Sequence, residues 1–199
     1  MSNIRLDVDK GKDFGRWTDP VSKFLYFDSM SLFLEGIDLS DYSKIADYGG
    51  ANGLLKKFIP NALSIDYDPK KKPDIVDDIL THKGDYDLIV IRYVLHYLSN
   101  EEIQTLFHNL RDYTGEIWII QFASDGQDNR IKRANSRNEG TKYFRDTFRL
   151  FGEVEKHISL IESKAQSIDV TTEFYINRLE NPEADRHYET IYFLRGYIR

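Results

Sequence analysis

The sequence contains no cysteine, which excludes disulfide bonds, thiolate metal ligands and cysteine nucleophiles together. It also has no long apolar run. The longest, around Leu88 to Leu98, is interrupted by Arg92 and His96 and is too short to span a bilayer. The first residues are mixed and charged, without the apolar core of a signal peptide. We therefore expect a cytoplasmic protein with no membrane partner.

Positive charge is in the minority, with 27 Lys and Arg against 33 Asp and Glu and a net charge of −6. That balance disfavours a general role in coating polyanions. The 199 residues are 41% hydrophobic and 14% aromatic, which is enough to bury a core and makes intrinsic disorder a poor description. We predict a single domain over residues 1–199, in which residues 1–40 form an N-terminal arm and helix.

Short apolar segments alternate with amphipathic ones. The predicted strands are 44–48, 62–66, 74–76, 87–91 and 115–122, followed later by β-rich stretches at 167–178 and 188–197. The predicted helices are 21–35, 51–59, 100–112 and 141–151. This order predicts an α/β fold, with a doubly wound and mostly parallel sheet of seven strands and an antiparallel C-terminal hairpin.

The most informative segment, Asp47-Tyr48-Gly49-Gly50-Ala51-Asn52-Gly53, directly follows the first predicted strand. Glycines at such a turn let a nucleotide-like ligand lie against the backbone, although a plain tight turn uses the same residues. A dinucleotide fingerprint would need G-x-G-x-x-G, and here Ala51 and Leu54 occupy the second and third glycine positions. The spacing is instead an acid followed by Gly49, Ala51 and Gly53.

This spacing resembles the first motif of the class I S-adenosylmethionine-dependent methyltransferases, an acid followed by G-x-G-x-G. The double glycine resembles the D-x-G-G-G-x-G of many small-molecule O-methyltransferases, from which Ala51 departs by one methyl group. The resemblance implies a Rossmann-like fold, S-adenosylmethionine as cofactor and S-adenosylhomocysteine as product. It places Asp47, Gly49, Gly50, Ala51 and Gly53 in the cofactor site.

The second predicted strand ends at Ile65-Asp66, 19 residues after Asp47. The resemblance makes Asp66 the carboxylate that accepts hydrogen bonds from a ribose diol, a bidentate role that only Asp or Glu can fill there. It counts the next residue, Tyr67, among the cofactor-binding positions. Asp68 is the rival acid, and both acids also suit a turn before a proline.

The third predicted strand is followed by Asp77-Asp78-Ile79. The family places an acid and an apolar residue at this point, against the adenine. Asp78 and Ile79 match that pattern more closely, and Asp77 is the fallback. Paired acids before a loop are also common as solvated surface residues.

The segment from Asp87 to Leu98 resembles the fourth strand and following turn of small-molecule methyltransferases. By that resemblance the backbone around Arg92 and Tyr93 flanks the methionine part of the cofactor. His96 is a candidate general base because its unperturbed pKa lies near neutrality; the alternative is a histidine that packs the loop. In the N-terminal arm, Arg16 is a candidate partner for the methionine carboxylate.

Methyl transfer from a sulfonium is an in-line displacement at carbon, so an enzyme must chiefly position the acceptor. We predict a small-molecule acceptor, a metabolite or natural product, and no metal. Residues 130–149 contain seven basic and two acidic side chains. Such a segment suits a phosphate, a carboxylate or an RNA backbone, and a solvated helix face and loop would have the same composition. The alternatives are therefore an RNA or protein methyltransferase that docks through this segment, or a non-catalytic cofactor-binding scaffold.

Overall fold

The computed structural model describes residues 29–92, 94, 95, 98, 100–120, 159, 162, 163 and 166, and the backbone of 172–180 and 190–198. Arg16, Tyr93, His96 and the basic segment 130–149 lie outside the described residues. The roles assigned to them from the sequence stay predictions.

The described elements begin with one helix and then alternate between strands and helical turns. In chain order they are α1 (Ser29–Leu34), β1 (Ile45–Tyr48), a first 3₁₀ helix (Leu54–Lys57), β2 (Ala62–Asp66), a second 3₁₀ helix (Pro69–Lys71), β3 (Ile75–Val76), β4 (Leu88–Arg92), α2 (Asn100–Leu110), β5 (Glu116–Ile120), β6 (Thr172–Glu180) and β7 (Thr190–Ile198). Strands β1 to β5 and helix α2 lie where the apolar periodicity predicts them.

Strands β1 to β5 form a parallel sheet in the order β3-β2-β1-β4-β5, which confirms the predicted α/β class with a parallel sheet. Ile45 of β1 is in register with Ala62 of β2 on one side and Leu88 of β4 on the other. The backbone of β7 runs antiparallel beside β5, and β6 runs antiparallel beside β7. The strand order reverses between β1 and β4, and open α/β sheets bind ligands at the carboxyl ends of the strands on either side of such a reversal.

Alternate strand residues pack into two hydrophobic cores, one on each face of the sheet. Helix α2 covers one face with side chains at i, i+3, i+4 and i+7 spacing, namely Ile103, Leu106, Phe107 and Leu110. The other face is covered by Met30 of α1 together with Leu55 and Ile59. Each fully buried side chain of this kind contributes roughly 1.5–3 kcal/mol to folding. The two cores hold the strand ends, and any site built on them, in fixed positions.

The helix predicted over 51–59 is wrong. The chain forms only the 3₁₀ turn Leu54–Lys57 there, preceded by tight turns. Ala51 has φ +48° and Gly53 has φ +73°, left-handed values that an α-helix of L-residues cannot accommodate. The chain after β1 therefore crosses the edge of the sheet as a compact loop.

Candidate functional site

The third residue of β1, Asp47, is a buried acid close to the carboxyl edge of the sheet. Its side chain is 2% exposed, and within the described part of the chain its Oδ2 atom has no hydrogen-bond partner. Burial raises the pKa of Asp47 to about 6; the charge of Arg92 opposes this shift and the charge of Asp66 adds to it. A buried oxygen without a partner is uncommon in a stable protein and marks a candidate position for a ligand donor.

The two glycines after β1 are required by neighbouring protein atoms. Gly49 has φ +72°, and a Cβ atom there would lie 2.5 Å from Cγ2 of Val94, in the loop after β4. A Cβ atom on Gly50 would lie 2.6 Å from Oδ2 of Asp47. The amide of Gly49 donates to the carbonyl of Ile65 at 2.8 Å, which ties the loop to β2. The absence of side chains thus lets the loop lie directly on the ends of three strands.

Ala51 follows in a conformation that favours glycine, and its amide donates to Oδ2 of Asp66 at 3.2 Å. Gly53, also left-handed, donates its amide to the carbonyl of Gly50 at 2.8 Å and closes the turn. A carboxylate at the end of β2 therefore adds to the backbone bonds that join the motif loop to this strand.

That carboxylate belongs to Asp66, the last residue of β2, which is 4% exposed. Besides the Ala51 amide, it accepts the amide of Asp68 at 3.0 Å on Oδ1, and Nζ of Lys71 lies 3.9 Å from Oδ2. Lys71 also lies 5.8 Å from the centroid of the Tyr67 ring. Asp66 is thus held in one orientation, with a cation and an aromatic ring beside it.

Asp68 has a different role in the structure. Its Oδ1 atom accepts the amide of Lys70 at 3.0 Å and caps the second 3₁₀ helix. This cap explains why an acid stands there without reference to any ligand. Of the two acids that the sequence left open, Asp66 is therefore the one that the fold buries beside the motif loop.

The turn after β3 is attached to the same strand end. The amide of Asp77 donates to the carbonyl of Asp66 at 3.1 Å. The carboxylate of Asp77 accepts the amide of Asp78 on Oδ1 and Nδ1 of His82 on Oδ2, both at 2.8 Å. The bond from His82 holds the pKa of Asp77 below its usual range. The side chain of Ile79 is buried in the core beneath the turn.

The structure brings together most of the residues that the sequence predicts for one site. Asp47, Gly49, Gly50, Ala51, Gly53, Asp66, Tyr67, Asp78, Ile79 and Arg92 all lie on the ends of β1 to β4 or in the loops that follow them. Sequence patterns did not identify His82 or Lys71. His82 is a single histidine in a polar loop and Lys71 is one of three consecutive lysines, so nothing in the sequence distinguishes either residue.

Two further properties of the described part of the chain bear on the class of site. No group of three or more His, Asp or Glu side chains is placed there to hold a metal ion. None of its helices is long and apolar enough to cross a membrane.

Several solved methyltransferases are similar to this chain in fold. Magnesium protoporphyrin IX methyltransferase from Synechocystis PCC 6803, solved with bound SAH (S-adenosylhomocysteine), is 15% identical, with 98% of this chain and 93% of that chain covered and a TM-score of 0.59. Mitomycin 7-O-methyltransferase is 12% identical, with 97% and 62% covered and a TM-score of 0.58. A small RNA methyltransferase is 12% identical, with 84% and 24% covered and a TM-score of 0.55.

The chain therefore has a class I methyltransferase-like fold, which confirms the fold family expected from its motifs. At these identities the similarity establishes the fold alone. No protein-family model matches the sequence, and no curated protein matches it either.

Proposed function

We propose that this protein is an S-adenosylmethionine-dependent methyltransferase that acts on a small-molecule acceptor. The observation that carries the proposal is the buried Asp47 oxygen without a partner, at the point where the strand order of a methyltransferase-like sheet reverses. We also infer a single domain over residues 1–199, in which β6 and β7 complete a seven-stranded sheet with an antiparallel C-terminal hairpin and residues 1–40 cover the site.

The residues at the strand ends fit an adenosine-containing ligand. A carboxylate has about four lone-pair positions, so Asp66 can accept ribose hydroxyls while it keeps its bonds to the Ala51 and Asp68 amides. Asp78 and the backbone of Ile79 would take the adenine, with Tyr67 beside them, since the Ile79 side chain is buried in the core. We assign the other end of the ligand to Asp47 and Arg92, since a buried anion can accept hydrogen bonds from an ammonium group and a guanidinium can pair with a carboxylate.

When bound, S-adenosylmethionine supplies an electrophilic methyl group on a sulfonium. The residues of this chain need only hold the ligand, orient the acceptor and exclude water, because the leaving sulfur needs no proton. A base is required only for an acceptor that loses a proton, and His96 remains the predicted candidate. Arg16 and Tyr93, also outside the described residues, remain predicted cofactor contacts.

Calorimetric titration with S-adenosylmethionine, S-adenosylhomocysteine and NAD tests the cofactor assignment. Asp66→Ala should weaken binding of the first two by about tenfold or more, roughly 1.4 kcal/mol, because it removes the carboxylate assigned to the ribose. The matched control is Asp68→Ala, which removes a carboxylate two residues away and should change the affinity by less than about threefold, since this side chain caps a helix.

Three results would contradict the assignment. Binding of NAD alone would refute the cofactor class, and binding of neither ligand would favour a non-catalytic scaffold. If Asp68→Ala weakened binding while Asp66→Ala did not, the ribose acid would be wrongly placed. Thermal melting of both variants shows whether each is folded.

The acceptor is tested with S-adenosylmethionine that carries a labelled methyl group, incubated with a metabolite extract and, separately, with total RNA and with protein. We expect label in the small-molecule fraction. Label in RNA or protein instead would contradict the small-molecule proposal and favour a macromolecular acceptor.

A further inference from the structure

A buried histidine that the motifs do not involve lies behind the candidate adenine turn. The His82 side chain is about 9% exposed, and both of its ring nitrogens have partners. Nδ1 lies 2.8 Å from Oδ2 of Asp77, and Nε2 lies 2.9 Å from the hydroxyl of Tyr86. The ring packs edge-on against Tyr48, with centroids 5.8 Å apart, and the side-chain amide of Asn109 in α2 donates to the His82 carbonyl at 2.8 Å.

The chemistry of the partners determines where the protons lie. An ionised carboxylate only accepts, so Nδ1 of His82 must carry a proton and donate it to Asp77. In the neutral ring, Nε2 then accepts from the Tyr86 hydroxyl; in the charged ring, Nε2 donates to the same oxygen. The bond to Asp77 exists in both states of the ring. The proton on Nδ1 therefore fixes the orientation of the ring relative to Asp77.

The bond to His82 is one of several that hold the turn after β3 in place. Asp77 uses its second carboxylate oxygen for the amide of Asp78, and its own amide is bonded to Asp66. The carbonyl of Asp78 accepts the amides of Thr81 and His82 at 2.9 and 2.8 Å. A continuous path therefore runs from the core through His82 and Asp77 to the two acids assigned to adenosine.

We propose that His82 is a positioning residue for the cofactor site. Its Nδ1–H group holds the Asp77 carboxylate, and Asp77 in turn sets the position of Asp78 relative to Asp66. The inference rests on the proposed function, since it assumes that Asp66 and Asp78 bind adenosine. It also assigns the two adjacent acids different roles: Asp77 organises the turn, and Asp78 contacts the ligand.

Substitution of His82 by asparagine or by glutamine tests the two ring contacts one at a time. His82→Asn places a side-chain amide near the position of Nδ1 and can still donate to Asp77, whereas His82→Gln places it near Nε2 and reaches toward Tyr86. In titrations with S-adenosylhomocysteine we expect His82→Gln to weaken binding about tenfold, or about 1.4 kcal/mol, and His82→Asn to stay within about threefold of the parent. Tyr86→Phe removes the other contact of the ring and should lower the melting temperature while leaving the affinity within about threefold of the parent.

A double-mutant cycle checks that the effect passes through Asp77. Asp77→Ala, at a side chain that is 46% exposed, should fold and should weaken binding about as much as His82→Gln. Combining the two substitutions should cause little further loss. If either histidine variant fails to fold, the single substitution of Asp77 still tests the connection.

The outcomes separate this inference from the proposed function. If the parent protein binds S-adenosylhomocysteine and the Asn and Gln variants lose the same affinity, or none, the positioning role of His82 is refuted and the proposed function stands. If Asp77→Ala leaves the affinity unchanged, the positioning role is likewise refuted. If the parent does not bind the ligand at all, the proposed function falls and this inference falls with it.

Discussion

Gly49 and Gly36 have nearly the same φ angle but different surroundings, which makes them a matched pair for mutation. Their φ angles are +72° and +75°. A Cβ atom on Gly36, after helix α1, would meet nothing within 4 Å. A Cβ atom on Gly49 would lie 2.5 Å from Cγ2 and 3.1 Å from Cγ1 of Val94. Substitution by alanine therefore separates the cost of the backbone angle from the cost of the contact.

The structure indicates the size of each cost. A positive φ costs an L-residue such as alanine about 1–2 kcal/mol. Part of this cost is offset because alanine restricts the unfolded chain more than glycine does. Gly36→Ala should therefore lower the free energy of unfolding by about 1 kcal/mol. Gly49→Ala carries the same cost and must also displace Val94, which is packed in the core on the α2 face. Overpacking of this kind costs about 1–3 kcal/mol, so a total of about 2–4 kcal/mol is expected.

Urea unfolding of both variants, followed by circular dichroism, measures these values directly, provided that the slope against urea is unchanged. Val94→Ala removes both methyl groups from the contact. In that background Gly49→Ala should cost only about 1 kcal/mol, as at Gly36. Equal costs for the two glycines in the parent protein, or no relief in the Val94→Ala background, would refute the close approach between the motif loop and the loop after β4.

Two further predictions concern the loop after β1 and the strand that precedes it. Ala51→Gly should raise the free energy of unfolding by about 0.5–1 kcal/mol, because glycine adopts φ +48° without strain; a lower melting temperature would contradict this. Asp47 has a pKa of about 6 in the folded protein and about 3.9 when unfolded, so the native state binds the proton more tightly and the protein loses stability as the pH rises from about 4 to 6. Asp47→Asn has no group that titrates at this position. The unfolding free energy of the variant minus that of the parent should therefore increase by up to roughly 3 kcal/mol between pH 4 and 6, and then level off. Urea unfolding at several pH values measures the difference, and a constant difference would mean that burial does not perturb Asp47.

The strands were predictable because the sheet is buried on both faces. Residues such as Leu88, Ile89 and Val90 form continuous apolar runs that only a covered parallel strand requires. Helix α2 was predictable for a related reason, since its buried residues recur at helical spacing beneath a polar surface. The order of apolar and polar residues therefore predicts which strands and helices are buried.

The loop after β1 could not be predicted in the same way. The apolar residues of 51–59 recur at helical spacing, but the left-handed angles of Ala51 and Gly53 exclude a helix at the start of that segment. Alanine is common in helices, so the residue type gives no indication that Ala51 has a positive φ. The same holds for His82, whose partners Asp77 and Tyr86 come together only because the turn folds back on itself.

The sequence indicated which acids and glycines lie at the strand ends, but it did not indicate the contacts that each of them makes. The sequence placed Asp66 and Asp68 as rivals, and only the register of β2 shows that Asp66 is buried while Asp68 caps a helix. The glycines were expected to admit a ligand. In the structure, two of them make room for Val94 and for the Asp47 carboxyl, and a motif does not reveal packing of this kind.

The central position of β1 also has a consequence for the order of folding. Its two neighbours in the sheet, β2 and β4, are both synthesised after it, and the pairing of Ile45 with Leu88 closes a loop of more than 40 residues. Such non-local parallel pairing is slow, because the entropy of closing the loop is lost before the contacts form. On the ribosome, β1 can pair with β2 first, but its other edge stays unpaired until β4 emerges. The contact between Gly49 and Val94 can form only after that step.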